Sequence, residues 1–246
     1  MSNSLVIDCF PASAARYCRE YAIVAIDVIR ATTMAITSAA SGRRTFYANS
    51  LPAARRLADQ LDDPLSAGEL NGDMPEGFDM NNSPVELLER TDLHRPIILL
   101  SSSGTKLMHE ASRSTEAAYL ACFRNYSAVV RHLAGRHRKI AIIGAGSREE
   151  FREEDQMCCA WIAEQLLRVG YAAENSATRD IVERWSGAPA EACWVSNSVG
   201  YLRRSGQMPD LSFILDHVDD LNSVFTVAED EIVIAVTAPK ELLEAA

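Results

Sequence analysis

The stretch Ala22-Ile23-Val24-Ala25-Ile26-Asp27-Val28-Ile29-Arg30-Ala31-Thr32-Thr33 decides the fold. Five apolar residues in succession, three of them β-branched, read as a strand covered on both faces, and hence as a central one. The run stops at an acid. Ala31 to Ala40 then reads as a helix, and a buried strand feeding a helix is the unit from which parallel α/β folds are built.

The same alternation continues outward. Further strands are predicted at Leu5–Phe10, Pro96–Leu100, Ala117–Ala121, Lys139–Gly144 and Glu231–Val236. Between them fall helices at Ser50–Asp62 (Ser50 as N-cap, Pro52 in the first turn), around Lys106–Ala111, at Ser127–Leu133 and at Asp155–Val169, the last closed by Gly170. Helical stretches follow near Arg179–Trp185 and Glu191–Arg204. The expected fold is layered α/β/α with a mixed, largely parallel sheet, and 246 residues admit one large domain or two small ones. Residues 64–84 are the exception: rich in Gly, Asn, Asp and Pro, they read as a long functional loop.

Composition narrows the function. The 48% hydrophobic fraction is that of a soluble globular protein, and no apolar run is long enough to span a bilayer. Met1-Ser2-Asn3-Ser4 has no basic, apolar leader pattern, so a cytoplasmic location is expected. Six cysteines without a C-x-x-C pair read as free thiols, and five histidines show no metal spacing. A net charge of −10 opposes nucleic acid and anionic membranes. It still admits a small anionic substrate at a local patch of metal and arginine. A homodimer is the default oligomeric expectation.

Three strands end in loops that suit chemistry. After the first, Asp27 can hold a metal, Arg30 supplies a bidentate fork, and Thr32 and Thr33 open a helix whose N–H groups suit oxyanions. The competing structural reading makes Asp27 a helix cap and Arg30 its surface partner. After Pro96–Leu100, Ser101-Ser102-Ser103-Gly104-Thr105 offers a neutral cradle for phosphate or sulfonate oxygens, against plain N-capping by Ser103 or Thr105. After Lys139–Gly144, Gly144-Ala145-Gly146 starts like a dinucleotide loop. Glu149 stands where the third glycine belongs and an acidic run follows, so a Rossmann site is rejected. Glu153-Glu154-Asp155 at a helix start complements the dipole and can also deliver metal ligands. The 64–84 segment adds Glu69 and Asp79 as carboxylates between glycines, and Asn82 and Ser83 as substrate hydrogen-bonders.

Taken in order, these pieces resemble the 2-phosphosulfolactate phosphatase (ComB) family of coenzyme M biosynthesis. The resemblance rests on Asp27-Val28-Ile29-Arg30-Ala31-Thr32-Thr33, Gly68-Glu69, Gly72, Gly77-Phe78-Asp79, Asn82-Ser83-Pro84, Gly104-Thr105, Asn125 and Glu154-Asp155. It implies Mg²⁺-dependent hydrolysis of a phosphate monoester on a small sulfonated, carboxylated acid, and a single ComB-like domain over residues 1–246 rather than two independent ones. Three positions depart from the family pattern: Leu70 replaces an arginine, Asn81 a glycine, and Ser101-Ser102-Ser103 stands for Thr-Thr-Asn.

The expected chemistry follows. Asp27, Glu69, Asp79, Glu154 and Asp155 hold Mg²⁺ directly or through water. Arg30, Thr32 and Thr33 stabilise the transferring oxygens, and Ser102, Ser103, Gly104 and Thr105 hold phosphate or the acid tail. Water attack and an aspartyl-phosphate on Asp27 both remain open. The alternative of another class is a non-catalytic sensor of a phosphorylated or sulfonated metabolite.

Overall fold

The computed structural model describes residues 3–237. In chain order the elements are β1 (Ser4–Cys9), β2 (Ala22–Ile26), α1 (Ala31–Ala40), β3 (Thr45–Ala48), α2 (Leu51–Ala58), β4 (Leu65–Gly68), α3 (Pro84–Leu88) and β5 (Ile97–Leu100). Then come α4 (Gly104–Ser114), β6 (Ala118–Ala121), α5 (Tyr126–Leu133), β7 (Lys139–Gly144), α6 (Glu153–Arg168), β8 (Ala172–Ala173) and α7 (Ser176–Trp185). The described chain closes with α8 (Asn197–Arg204), α9 (Met208–Asp216), β9 (Ser223–Ala228) and β10 (Glu231–Thr237). Short 3₁₀ turns occupy Pro11–Tyr17 and Ala190–Val195.

The ten strands form one mixed sheet in the order β4-β5-β3-β10-β9-β6-β2-β7-β1-β8. β6, β2, β7, β1 and β8 run parallel to one another, as do β4, β5 and β3. The antiparallel β9–β10 hairpin joins these two halves, and its pairing reverses the strand sense between them. Each joint is thin. β10 meets β3 at Glu231↔Phe46 and Ile232↔Thr45, and β9 meets β6 at Tyr119↔Thr226 and Leu120↔Phe225. In a flat sheet, opposite sense would send the C-terminal loops of the two halves to opposite edges. Gly104, just after β5, nevertheless packs on Asp27, just after β2.

β2 behaves as its sequence predicts. Ala22, Val24 and Ile26 face a core made with α5, α6, α7 and α9, while Ile23 and Ala25 face a second core made with α1 and α4. All five are buried. Helix α1 is buried along nearly its whole length, so it is packed from all sides rather than amphipathic. A smaller cluster of Phe46, Ala48, Ala54, Ile98 and Leu100 covers the outer face of β3 and β5 beneath α2.

Two expectations are corrected. Residues 64–84 are not loop throughout, because β4 lies inside them and pairs with β5 in register Leu65↔Ile97 to Gly68↔Leu100. The helix expected over Glu191–Arg204 is broken at Ser196, whose extended backbone lets its Oγ accept from Ser198 N at 3.0 Å and start α8 afresh. Among the described residues no helix is long and apolar enough to cross a membrane.

Candidate active site

The C-terminal loops of β2, β4, β5 and β7 border one cleft of about 660 Å³, closed on its far side by α8. Its floor is acidic. Asp27 follows β2 directly, is buried, and accepts from Ala31 N at 3.1 Å through Oδ1, satisfying the first N–H of α1. The cap reading of Asp27 is therefore correct for one oxygen, while the residue also lines the cleft.

Glu154 and Asp155 project from the first turn of α6, both buried. Asp155 accepts from Val28 N at 2.9 Å and Gly146 N at 3.2 Å, which ties α6 to the β2 and β7 loops. Glu154 accepts from Ser196 Oγ. Burial pushes all three carboxyls upward. Mutual repulsion adds to it: Glu69 and Glu154 act on Asp27, and Asp27 and Glu154 act on Asp155. Burial and mutual repulsion thus disfavour all three carboxyls being charged at once unless a cation joins them.

Arg30 is the cation set among these acids. Its guanidinium is buried, with Nη1 2.5 Å from Asp210 Oδ2 and Nη2 donating to Asn81 Oδ1 at 3.1 Å. The surface-partner reading of Arg30 is overturned. Its partner is a buried aspartate on α9, which also accepts from Ser83 Oγ at 2.6 Å. Nothing in the sequence signals Asp210, because it lies 180 residues away from Arg30.

Hydrogen bonds knit the opposite wall together. Glu69 Oε1 accepts from Ser102 N at 2.7 Å, and Oε2 accepts from Gly72 N at 2.8 Å and Ser102 Oγ at 3.0 Å. Ser102 Oγ in turn accepts from Asn71 N at 2.6 Å. Ser101 and Thr105 cap each other reciprocally, Thr105 N donating to Ser101 Oγ at 2.9 Å and Ser101 N to Thr105 Oγ1 at 3.0 Å. Gly104 makes room rather than a cradle. A Cβ there would stand 2.2 Å from Asp27 Oδ2 and 2.4 Å from Ala31 Cβ.

The structure brings Asp27, Arg30, Glu69, Asn82, Ser102, Ser103, Glu154 and Asp155 together around the cleft. It turns others away. Thr32 Oγ1 donates to Asp27 O at 2.7 Å and Thr33 Oγ1 to Val28 O at 2.8 Å, so both hydroxyls serve the β2–α1 turn. Thr105 is fully buried in its capping pair, and Ser83 is spent on α3 and Asp210. Asp79 is exposed, and its Oδ2 accepts from Ser66 N at 2.7 Å on β4, outside the cleft lining.

Sequence reasoning missed Lys106, Arg148, Arg152, Tyr201 and Arg204, which also line the cleft. Arg148 and Arg152 flank the acidic run after β7 and were open to notice. Tyr201 and Arg204 sit on α8, far along the chain, and only the fold brings them in.

The donor chemistry suits a hard divalent cation. All four floor and wall acids offer carboxylate oxygen, and buried Asn82 keeps Oδ1 without a hydrogen-bond partner. Among the described residues no three such groups are gathered closely enough to enclose an ion. A hard divalent cation here would be held by one or two of these carboxylates and complete its shell with water.

The chain matches the family model described as 2-phosphosulpholactate phosphatase over residues 10–230. A probable 2-phosphosulfolactate phosphatase of Deinococcus radiodurans is 33% identical over 192 residues, covering 76% of this chain and 80% of its own. Proteins of the same description from Symbiobacterium thermophilum (32% over 197 residues, 77% and 84% covered) and Thermus thermophilus (31% over 197 residues, 78% and 81% covered) are similar. With the family model spanning both halves of the sheet and every wall of the cleft, the chain belongs to the 2-phosphosulpholactate phosphatase family.

Proposed function

We propose that this chain is a Mg²⁺-dependent phosphatase acting on the phosphate monoester of a small anionic 2-hydroxy acid. The substrate we assign is 2-phosphosulfolactate, released as 3-sulfolactate and phosphate. The observation that carries this reading is the meeting of Arg30 with three buried carboxylates, Asp27, Glu154 and Asp155, on one cleft floor. The relatives' names supply the substrate class. They also leave the non-catalytic sensor reading without support.

Asp27, Glu154 and Asp155, with Glu69 at the wall, are the residues that would hold Mg²⁺. The ion supplies charge neutralisation and polarisation of the phosphoryl group when bound. Everything else is the chain's own work. Arg30 is anchored on one side by Asp210 and Asn81, so its orientation is set before substrate arrives, and its charge serves the transferring oxygens. The first N–H groups of α1 are already given to Asp27, Ala31 N to Oδ1 and Thr32 N to the main-chain oxygen at 2.9 Å. Anion stabilisation therefore falls on Arg30 rather than on the helix start. Asp27 either orients the attacking water or attacks phosphorus itself.

The test is an assay of the purified chain against a panel of phospho-2-hydroxy acids. Turnover of 2-phosphosulfolactate that is lost with chelator and restored by Mg²⁺ is the expected result. If no ester in the panel is hydrolysed at any Mg²⁺ concentration, the reading fails. Heavy-oxygen label appearing in the Asp27 carboxylate would separate covalent attack from water attack.

A further inference from the structure

Five cations line the cleft, and two are ion-paired within the protein: Arg30 with Asp210 and Arg152 with Glu150. Lys106 and Arg204 have no hydrogen-bond or ion-pair partner among the described residues, and Arg148 only donates to Asn71 O at 3.3 Å. All three are exposed. In a chain with 34 acidic residues against 24 Lys and Arg, three cations without an ion-pair partner among the described residues border this one opening. They reach it from separate elements: the first turn of α4, the β7–α6 loop and the last turn of α8.

Those elements are fastened to a common piece of chain, residues 69–73. Asn71 N and Glu69 bind Ser102, just before α4. Asn71 O takes Arg148, and Gly72 O takes the Tyr201 hydroxyl one turn ahead of Arg204 on α8. The elements that carry the three cations are therefore held around one rim before any ligand arrives, and fixing the carriers in advance lowers the cost of binding an anion between them. Leu70, in the middle of that segment, lines the cleft without adding charge.

We infer that Lys106, Arg148 and Arg204 form a second anion subsite, which grips the non-reacting carboxylate or sulfonate of the substrate while its phosphoryl group lies at the acidic floor. The ligand class is a small acid bearing an anionic group a few bonds from the phosphate ester. The two arginines offer flat forks suited to carboxylate and sulfonate oxygens, and Lys106 adds a point charge. The inference rests on the phosphatase reading above for the position of the phosphoryl group.

The decisive experiment compares wild-type protein with Lys106→Gln, Arg204→Gln and the double variant on 2-phosphosulfolactate and on phenyl phosphate, which lacks a second anion. Each substitution should lower the ratio of the two kcat/KM values by about tenfold, and the pair by roughly a hundredfold, mainly through KM. Equal losses on the two esters would overturn the subsite. Calorimetric binding of sulfoacetate, which carries no phosphate, gives a readout independent of turnover. Binding by wild type that weakens at least about tenfold in the double variant supports the subsite, whereas equal binding or none by wild type overturns it. If wild type hydrolyses neither ester, the phosphatase reading falls while calorimetry still decides the rim.

Discussion

The two parallel halves of the sheet hold their functional groups by different means. The β6-β2-β7-β1-β8 half lies between two apolar layers, and its loops and the helix they feed place Asp27, Glu154 and Asp155 in fully packed surroundings. The β4-β5-β3 half has four-residue strands and only α2 over its outer face. It positions Glu69 and Ser102 with a lattice of hydrogen bonds. Packing fixes groups whose charged form is disfavoured, because no relaxation into solvent is open to them. Hydrogen-bonded loops fix groups that stay near water. The acidic floor comes from the first half, while the rim draws Lys106 from the second and Arg148 and Arg204 from chain beyond β7.

The sharpest break of this contrast is Asp27→Asn. It should lower kcat on the order of 10²- to 10³-fold while thermal unfolding is retained, since the side chain keeps its shape and loses an unfavourable charge. Near-normal turnover would remove the acidic floor from the chemistry. Asp210→Asn comes next. Breaking a pair whose side chains are 3% and 2% exposed should cost about 3 kcal/mol of stability, read by urea unfolding, together with a fall in kcat as Arg30 loses its anchor. Gly104→Ala tests the contact between halves. The added methyl must displace Asp27 or α4, so a stability loss of about 1–3 kcal/mol and a matching fall in kcat are expected. Unchanged kinetics there would mean that the β5 loop does not support Asp27.

The smallest effect concerns the joint itself. Arg44 clasps Glu231 across β3 and β10, with Nε–Oε1 at 2.9 Å and Nη2–Oε2 at 2.8 Å, but it is largely exposed. Arg44→Ala should cost less than about 0.5 kcal/mol in urea unfolding. A larger loss would show that this clasp, rather than main-chain pairing, secures the second half.

The same contrast explains what the sequence made legible. In the packed half, β1, β2, β6 and β7 were predicted because continuous apolar runs such as Ala22–Ile26 and Ile140–Ile143 admit little else. In the other half only β5 announced itself. Thr45–Ala48 and Leu65–Gly68 are too short and mixed to show a period, and Ser223–Ala228 becomes a strand through pairing with β10. The two-residue β8 carries no signal of its own.

Among site residues, Asp27, Arg30, Glu154 and Asp155 stood at the ends of readable elements. Asp79, Thr32, Thr33 and Thr105 had the right chemistry at the right spacing, yet their local backbone claimed them first. Hydroxyls and acids beside turns always face that competition, and sequence alone does not say which partner wins. Arg204 and Asp210 depended on long-range packing, which local pattern does not encode.

Among the described residues the β9–β10 hairpin pairs in register with each half at two positions. The core beneath α1 and α4 nevertheless takes Ile23, Ala25 and Leu120 from one half and Tyr47, Leu65 and Ile97 from the other, so packing closes the seam that main-chain pairing leaves thin. Leu70 and Ser103 stand in loops outside that core, so they can be rewritten without disturbing the strands that carry the acidic floor. A lineage built this way would change what it grips far more readily than what it does to it.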